Sequence, residues 1–232
     1  MAYGIRQLVL AVEDLEAARA ELEEAFGLEE CFRDPGVGKY DLENVLLPVG
    51  DTFLELVSPT APSAPAARYL EQAGGEGGYM VIVQVADFDA AAWRAEQAGV
   101  RIVEKVERDD QRGWHVHPAD LPGAIVSFDW AEPPEAWHWA GESWHPHVRT
   151  HVVRRIAGAA ISAPEPAALA ARWHDVLGGE LDGDVLRLDG THVRFEPWGE
   201  RHARMTAIEL EAAEREAVGR TVPVRGVEFR LV

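Results

Sequence analysis

Apolar residues along this chain recur in one arrangement, three times over. The run LVLAV, within the segment that Ile5 opens, is short, apolar and β-branched, as a buried strand requires. Asp14 follows as a helix cap, and Leu15, Ala18, Leu22, Ala25 and Phe26 then fall on one helical face. Gly27 stops that helix. Residues 79–99 repeat the order: a buried strand ending at Val85, Asp87 at the cap, a helix, and Gly99 as the stop. Residues 156–179 give a third copy, with Ile156 at the place of Ile5, Glu165 at that of Asp14 and Gly178 at that of Gly27, without a gap. Register kept over a whole strand–helix unit marks an internal repeat.

Short strands follow each predicted helix. The first copy places them at 39–42, 43–48 and 52–57, with Val49, Gly50 and Asp51 as a hairpin turn. The second places them at 101–106, 113–117 and 124–130, and the third at 185–188 and 192–196. Residues 206–232 hold a first and a last strand, TAIELEA and GVEFRLV, with too little between them for a full unit. The repeating unit is therefore βαβββ, the fold class α+β, and the last copy degenerate. Residues 58–67 are rich in Pro and Ala and read as a linker, as do residues 131–147, whose Trp and His residues are expected to pack on a domain surface. The expected division is a domain over 1–133, holding modules at 5–59 and 78–133, a linker over 134–151, and a degenerate domain over 152–232.

Composition adds exclusions. The 232 residues carry a formal net charge of −18, which repels nucleic acid and anionic membrane surfaces. Neither is expected as a partner. Residues 149–155 are the most basic stretch and read as a solvated edge. The single cysteine, Cys31, allows neither an intrachain disulfide nor a cysteine-based zinc cluster, and Glu29 and Glu30 beside it disfavour a thiolate. No apolar run of membrane-spanning length and no signal-type N-terminus is seen, so a cytoplasmic protein is expected. Gly-x-Ser-x-Gly, phosphate-loop and dinucleotide motifs are missing from the sequence.

The repeated βαβββ unit resembles the vicinal-oxygen-chelate superfamily, which includes glyoxalase I, methylmalonyl-CoA epimerase, extradiol dioxygenases and bleomycin-resistance proteins. IRQLVLAVEDL and DTFLELVSP carry the resemblance in the first module, and YMVIVQVADF and HVHPADLPGAIVSFDW in the second. The resemblance implies a cupped sheet made by two modules around a cavity, within one chain or across a homodimer. It also implies a divalent ion (Mn, Fe, Ni, Zn or Co) held by one residue on the first strand and one on the last strand of each module. Those positions are Gln7, Glu55, Met80 and Asp129. Gln7, Glu55 and Asp129 offer oxygen ligands, whereas the Met80 thioether suits such ions poorly and lines an apolar pocket more readily. The corresponding positions of the third module are Gly158 and Val193, which cannot bind metal through a side chain, and Glu228 resembles Glu55 on the last strand of the fourth.

An acidic residue within TFLELV is costly to bury without a role. Glu55 and Asp129 are accordingly the candidate catalytic groups. Gln7, Asn44, Phe53, Met80, His115 and His117 are the candidate ligand-lining residues, with His117 before Pro118 at a turn. Three readings stay open. One is a protein that holds a small metabolite without metal chemistry, as the bleomycin-resistance members do. A second is a metal-dependent lyase, isomerase or dioxygenase acting on a carbonyl or vicinal-oxygen substrate. The third is a metal-free isomerase in which Glu55, with a raised pKa, moves a proton.

Overall fold

The computed structural model describes residues 2–199 and 202–232. Its strands are β1 Ala2–Ala11, β2 Leu42–Val49, β3 Thr52–Pro59, β4 Gly77–Val85, β5 Ile102–Glu107, β6 Gln111–Val116 and β7 Ile125–Ala131. They continue with β8 Val153–Ala163, β9 Glu180–Asp182, β10 Val185–Leu188, β11 Thr191–Pro197, β12 Arg204–Ala212, β13 Thr221–Val224 and β14 Val227–Leu231. The helices are α1 Leu15–Phe26, α2 Pro65–Ala73, α3 Phe88–Gln97 and α4 Pro166–Leu177. The class is α+β, as the pattern predicts.

Each module is closed by the same ladder. Its first strand runs parallel to its last: β1 to β3, β4 to β7, β8 to β11 and β12 to β14. The last strand then pairs antiparallel with the strand before it, as β3 does with β2 and β7 with β6. Parallel pairing needs a long crossover, which the helix after each of the first three first strands supplies. Two of the predicted caps hold, while Glu165 stands at the cap of α4 without a side-chain capping bond. Asp14 Oδ1 accepts from the N–H of Ala17 and Asp87 Oδ1 from that of Ala90, both at 3.0 Å. Each cap of this kind is worth about 1 kcal/mol. Gly27 ends α1 in the left-handed region at φ 65°. In the fourth module only a 3-10 turn, Arg215–Ala217, stands where a helix would be.

Two local expectations fail for local reasons. Residues 39–42 were expected to be a strand, but Pro35–Tyr40 is a 3-10 helix. Pro35 sits at its first turn, Asp34 Oδ1 caps Gly36 N at 2.7 Å, and Asp41 terminates it at φ 57°. The Pro/Ala-rich linker is partly helical, because Pro65 opens α2 and Ala66 and Leu70 bury its inner side. In the third module β9, which was not read from the sequence, supplies the third strand after the helix that the βαβββ unit calls for.

The chain divides into two compact units. One holds Met1–Arg6, Met80–Trp137 and Ala157–Thr206, and the other Gln7–Tyr79, His138–Ile156 and Ala207–Val232. The first of these joins the second and third modules, the middle two in chain order, and is termed the inner unit; the other joins the first and fourth in chain order and is termed the outer unit. This differs from the expected consecutive division over 1–133 and 152–232. Within the presumed linker, Trp137, Ala140 and Trp144 are buried, while most of the other residues stay partly or fully exposed. Trp137 is fully buried in the inner unit, with the Arg6 guanidinium 5.4 Å from its ring, and Trp144 is buried in the outer unit. Large aromatics desolvate more area in a core than on a surface.

Each core is built helix against sheet. In the outer unit Phe26 of α1 lies 5.1 Å from Phe229 of β14. In the inner unit Phe88 of α3 meets Trp114 and Phe128, and Trp173 of α4 meets Phe195 edge-on at 5.5 Å. Trp173 Nε1 also donates to Pro122 O at 3.1 Å, so its polar atom is satisfied inside the core.

Two glycines at φ 65° separate backbone strain from close packing. A Cβ on Gly50 would lie 2.2 Å from Arg154 O, whereas one on Gly99 would meet nothing within 4 Å. Gly99→Ala should cost about 1 kcal/mol, from φ alone. Gly50→Ala should cost clearly more, because the backbone carbonyl must also move. Urea denaturation of the two variants checks the order, and equal losses would refute the contact.

Candidate functional site

Glu55 is the centre of a buried polar cluster in the outer unit. It sits in mid-β3 and is only 7% exposed. The ladder pairs Val9 with Glu55 and Gln7 with Phe53, so strand alternation sets Gln7, Phe53 and Glu55 on one face. Gln7 Nε2 donates to Glu55 Oε2 at 2.7 Å, and Asn44 Nδ2 donates to Oε1 at 2.6 Å. Asn44 reaches Glu55 because β2 pairs Leu46 opposite Glu55 and Asn44 opposite Val57. Asn44 Oδ1 in turn accepts from the N–H of Asp34 at 2.8 Å. Among the described residues no cation pairs with Glu55. Burial pushes its carboxyl up to about 7, against the opposing effect of the two amide hydrogen bonds, and the negative charge of Asp34 adds to the rise.

Phe53 shares this face. It is fully buried, with Trp144 edge-on at 5.0 Å and His145 stacked on Trp144 at 3.7 Å. The segment read from sequence as a linker therefore packs an aromatic side chain against a residue expected to line a ligand. A groove of about 510 Å³ opens beside α2, next to Glu13, Pro59, Leu70 and Gly75.

Asp129 belongs to the inner unit, as do Met80, His115 and His117. The helix cores fix which way this face points. Trp114 and Phe128 meet α3, so alternation directs Gly113, His115, Ser127 and Asp129 away from it. Asp129 is 2% exposed and accepts a short hydrogen bond from Ser127 Oγ. Gly113 makes room for it, since a Cβ there would lie 2.9 Å from Asp129 Oδ2. Burial pushes Asp129 up to about 7, opposed by the Ser127 hydrogen bond. Met80 and His115 are half-buried. His117 follows β6 and builds a turn: its Nδ1 accepts from the Ala119 N–H at 3.1 Å, beside the 2.7 Å ion pair of Arg101 and Asp120.

Ladder register corrects the assignment of equivalent positions. The helix caps align Gln7, Met80 and Gly158. Met80 pairs with Ile125, Ile82 with Ser127 and Gln84 with Asp129. The counterpart of Glu55 in the second module is thus Ser127, and Asp129 matches Val57. In the third module Gly158 pairs with His192 and Ala160 with Arg194, so Arg194, rather than Val193, stands at the Glu55 position. Counting back from the proline after each strand misleads because the last strands run on for different lengths beyond the ladder. Glu228, which looked like Glu55, is exposed beside Arg230. The acid that sequence reading missed is Glu209 on β12, only 4% exposed. Its signal was the one used for Glu55, a carboxylate between apolar neighbours, here Ile208 and Leu210.

The donor set does not fit the metal centre that the resemblance implies. The amides beside Glu55 present their nitrogens to it, and a protonated amide nitrogen is no ligand. Among the described residues no three His, Cys, Asp or Glu side chains are grouped to hold an ion.

Comparison with known proteins agrees with the fold. The family described as Glyoxalase-like domain matches residues 8–177. The ethylmalonyl-CoA/methylmalonyl-CoA epimerase of Cereibacter sphaeroides is 27% identical over 133 residues, covering 54% of this chain and 96% of the relative. Bovine mitochondrial methylmalonyl-CoA epimerase is 26% identical over 130 residues, covering 55% of this chain and 74% of the relative. A hypothetical protein from Staphylococcus aureus superposes with a TM-score of 0.73 over 98% of both chains at 12% identity, a likeness of fold alone. Among the described residues no helix is long and apolar enough to cross a membrane.

The two raised carboxyls make stability depend on pH. Glu55 moves from 4.5 to about 7 and Asp129 from 3.8 to about 7, so the folded chain keeps protons that the unfolded chain has released. Their contribution is complete below about pH 4 and is lost as pH rises through 7, on the order of 3 kcal/mol for Glu55 and about 4 kcal/mol for Asp129. Glu55→Gln should remove its share, which flattens the fall in urea midpoint between pH 5 and 8. An unchanged slope in that variant would contradict the buried proton.

Proposed function

This chain belongs to the glyoxalase-like domain family of the vicinal-oxygen-chelate superfamily, and from that premise we propose that its outer unit binds a small carbonyl-bearing metabolite without a metal, with Glu55 as the proton-transfer group. One observation carries the reading. Glu55 is buried in an apolar strand, both of its oxygens are held by neutral amides, and no described cation compensates it. An arrangement of this kind destabilises the fold and leaves a carboxyl poised between acid and base near neutral pH.

The substrate class follows from that chemistry. A carboxylate of this strength removes a proton only from carbon made acidic by a neighbouring carbonyl. The names of the relatives, epimerases of methylmalonyl-CoA, belong to the same class and support acyl thioesters as the first compounds to test. Glu55 would take the C–H proton and return it, with the cluster of Gln7 and Asn44 holding the carboxyl in place. Asp129, in the other unit, is proposed as a second buried acid with its own Ser127 partner.

The test is loss of the α-proton signal of methylmalonyl-CoA in D₂O, followed by NMR. The wild-type chain should catalyse the exchange, EDTA should leave the rate unchanged, and Glu55→Gln should lower it roughly 100-fold or more. Saturable binding without exchange would leave a binding protein and remove the acid–base role. A rate abolished by EDTA and restored by added metal would overturn the metal-free reading.

A further inference from the structure

We propose that Trp144 is a specificity-determining residue of the Glu55 face: paired with Phe53, it forms the apolar wall that meets the alkyl group on the acidic carbon of the substrate and limits the size of that group. The proposal rests on the reading of Glu55 as the proton-transfer group.

β3 lies between β1 and β2 in the sheet. Across the strands the Glu55 carboxyl is flanked by amides, Gln7 from β1 at 2.7 Å and Asn44 from β2 at 2.6 Å. Buried amides are poor neighbours for an alkyl group. Along β3 the neighbours on the same face are Phe53 and Val57, both apolar and buried. Residues two apart on a strand stand about 7 Å from each other. A carbon acid whose reacting carbon lies within about 3.5 Å of a Glu55 oxygen therefore brings its substituent to one of these two. Each end has one amide in its row, Gln7 beside Phe53 and Asn44 beside Val57. The aromatic pair makes the two ends unequal. Trp144 stands edge-on to Phe53 at 5.0 Å, and His145 stacks on Trp144 at 3.7 Å. Phe53 is thus part of the larger apolar surface, the one an alkyl group gains most by touching.

The wall has a fixed position. Trp144 is only 4% exposed, and the segment that carries it is tied to the first module on either side of it. Before Trp144, Gly141 at φ 75° lies against Phe32, where a Cβ would come within 2.7 Å of the ring. Phe32 O accepts from the Leu46 N–H at 2.9 Å, and Leu46 is the β2 residue opposite Glu55. After Trp144, His147 Nδ1 lies 2.8 Å from Glu29 Oε1, and Arg149 pairs with the same carboxylate. A close-packed wall held on both sides does not yield to a larger group, so each added methylene is read as a clash.

The experiment measures α-proton exchange in D₂O, and binding by titration calorimetry, for methylmalonyl-, ethylmalonyl- and butylmalonyl-CoA. The proteins are wild type, Trp144→Ala, Trp144→Phe, Val57→Ala and Glu55→Gln. In wild type, kcat/KM should fall roughly tenfold or more from the methyl to the butyl compound. Trp144→Ala should bring the two within about twofold or reverse them, and Trp144→Phe should fall between. If Trp144→Ala does not fold, Trp144→Phe decides. Val57→Ala should keep the wild-type preference. A wild type that accepts all three compounds equally would overturn the wall. So would a methyl-to-butyl ratio unchanged in the Trp144 variants, or one that shifts in Val57→Ala instead. No exchange in wild type, or full exchange in Glu55→Gln, would overturn the proton role of Glu55 alone. The affinities for the three compounds then decide on Trp144 by the same ratios, and binding of none of them would overturn the wall as well.

Discussion

The parallel ladder between the first and last strand of each module is the constraint from which the rest follows. It sets two faces. One is apolar and covered by a helix, as Phe88 on Trp114 and Phe128 shows. The other carries whatever polar groups the module has, because side chains alternate across a strand. Gln7 and Glu55 meet only because Gln7 pairs with Phe53 and Val9 with Glu55. A shift of one residue would send Glu55 to the helix-covered face, where no amide awaits it.

The same ladder explains how four modules built on one plan carry different chemistry. At the position of Glu55 the second module has Ser127 and the third has Arg194. At the position of Gln7 they have Met80 and Gly158. The scaffold tolerates these exchanges because the apolar face makes the core, while the opposite face is free to vary. The two buried acids of the candidate sites, Glu55 and Asp129, are therefore not symmetry mates. Each has its own neutral partners, amides for one and a hydroxyl for the other. Such neutral partners moderate the penalty of burial without fixing the charge, which an Arg or Lys would do.

Burial rather than a partner governs both acids, and that bears on the metal question. A family-type centre gathers ligands from two modules at one point. Here Gln7 and Glu55 already satisfy each other, and Asn44 is committed to Asp34 on one side and Glu55 on the other. The residues have the elements of an acid–base cluster and lack the imidazole and carboxylate set that an ion would need.

Much was legible in the sequence because it is local. The alternation of LVLAV, the caps at Asp14 and Asp87 and the stop at Gly27 all act within a few residues, so the βαβββ repeat and its class could be read directly. The anomaly of Glu55, a carboxylate inside an apolar strand, could be read too. The 3-10 turn at Pro35–Tyr40 was within reach, since Asp34, Pro35 and Gly36 signal it, and the expectation of a strand there came from imposing the module plan. What tertiary structure alone decided was partnership. Strand register selected Ser127 and Arg194 as counterparts of Glu55, the folded core took in Trp137 and Trp144, and the first module packed into one unit with the fourth. These depend on contacts between residues far apart in the chain, whose free energy is set by packing and desolvation and leaves no mark in the local pattern.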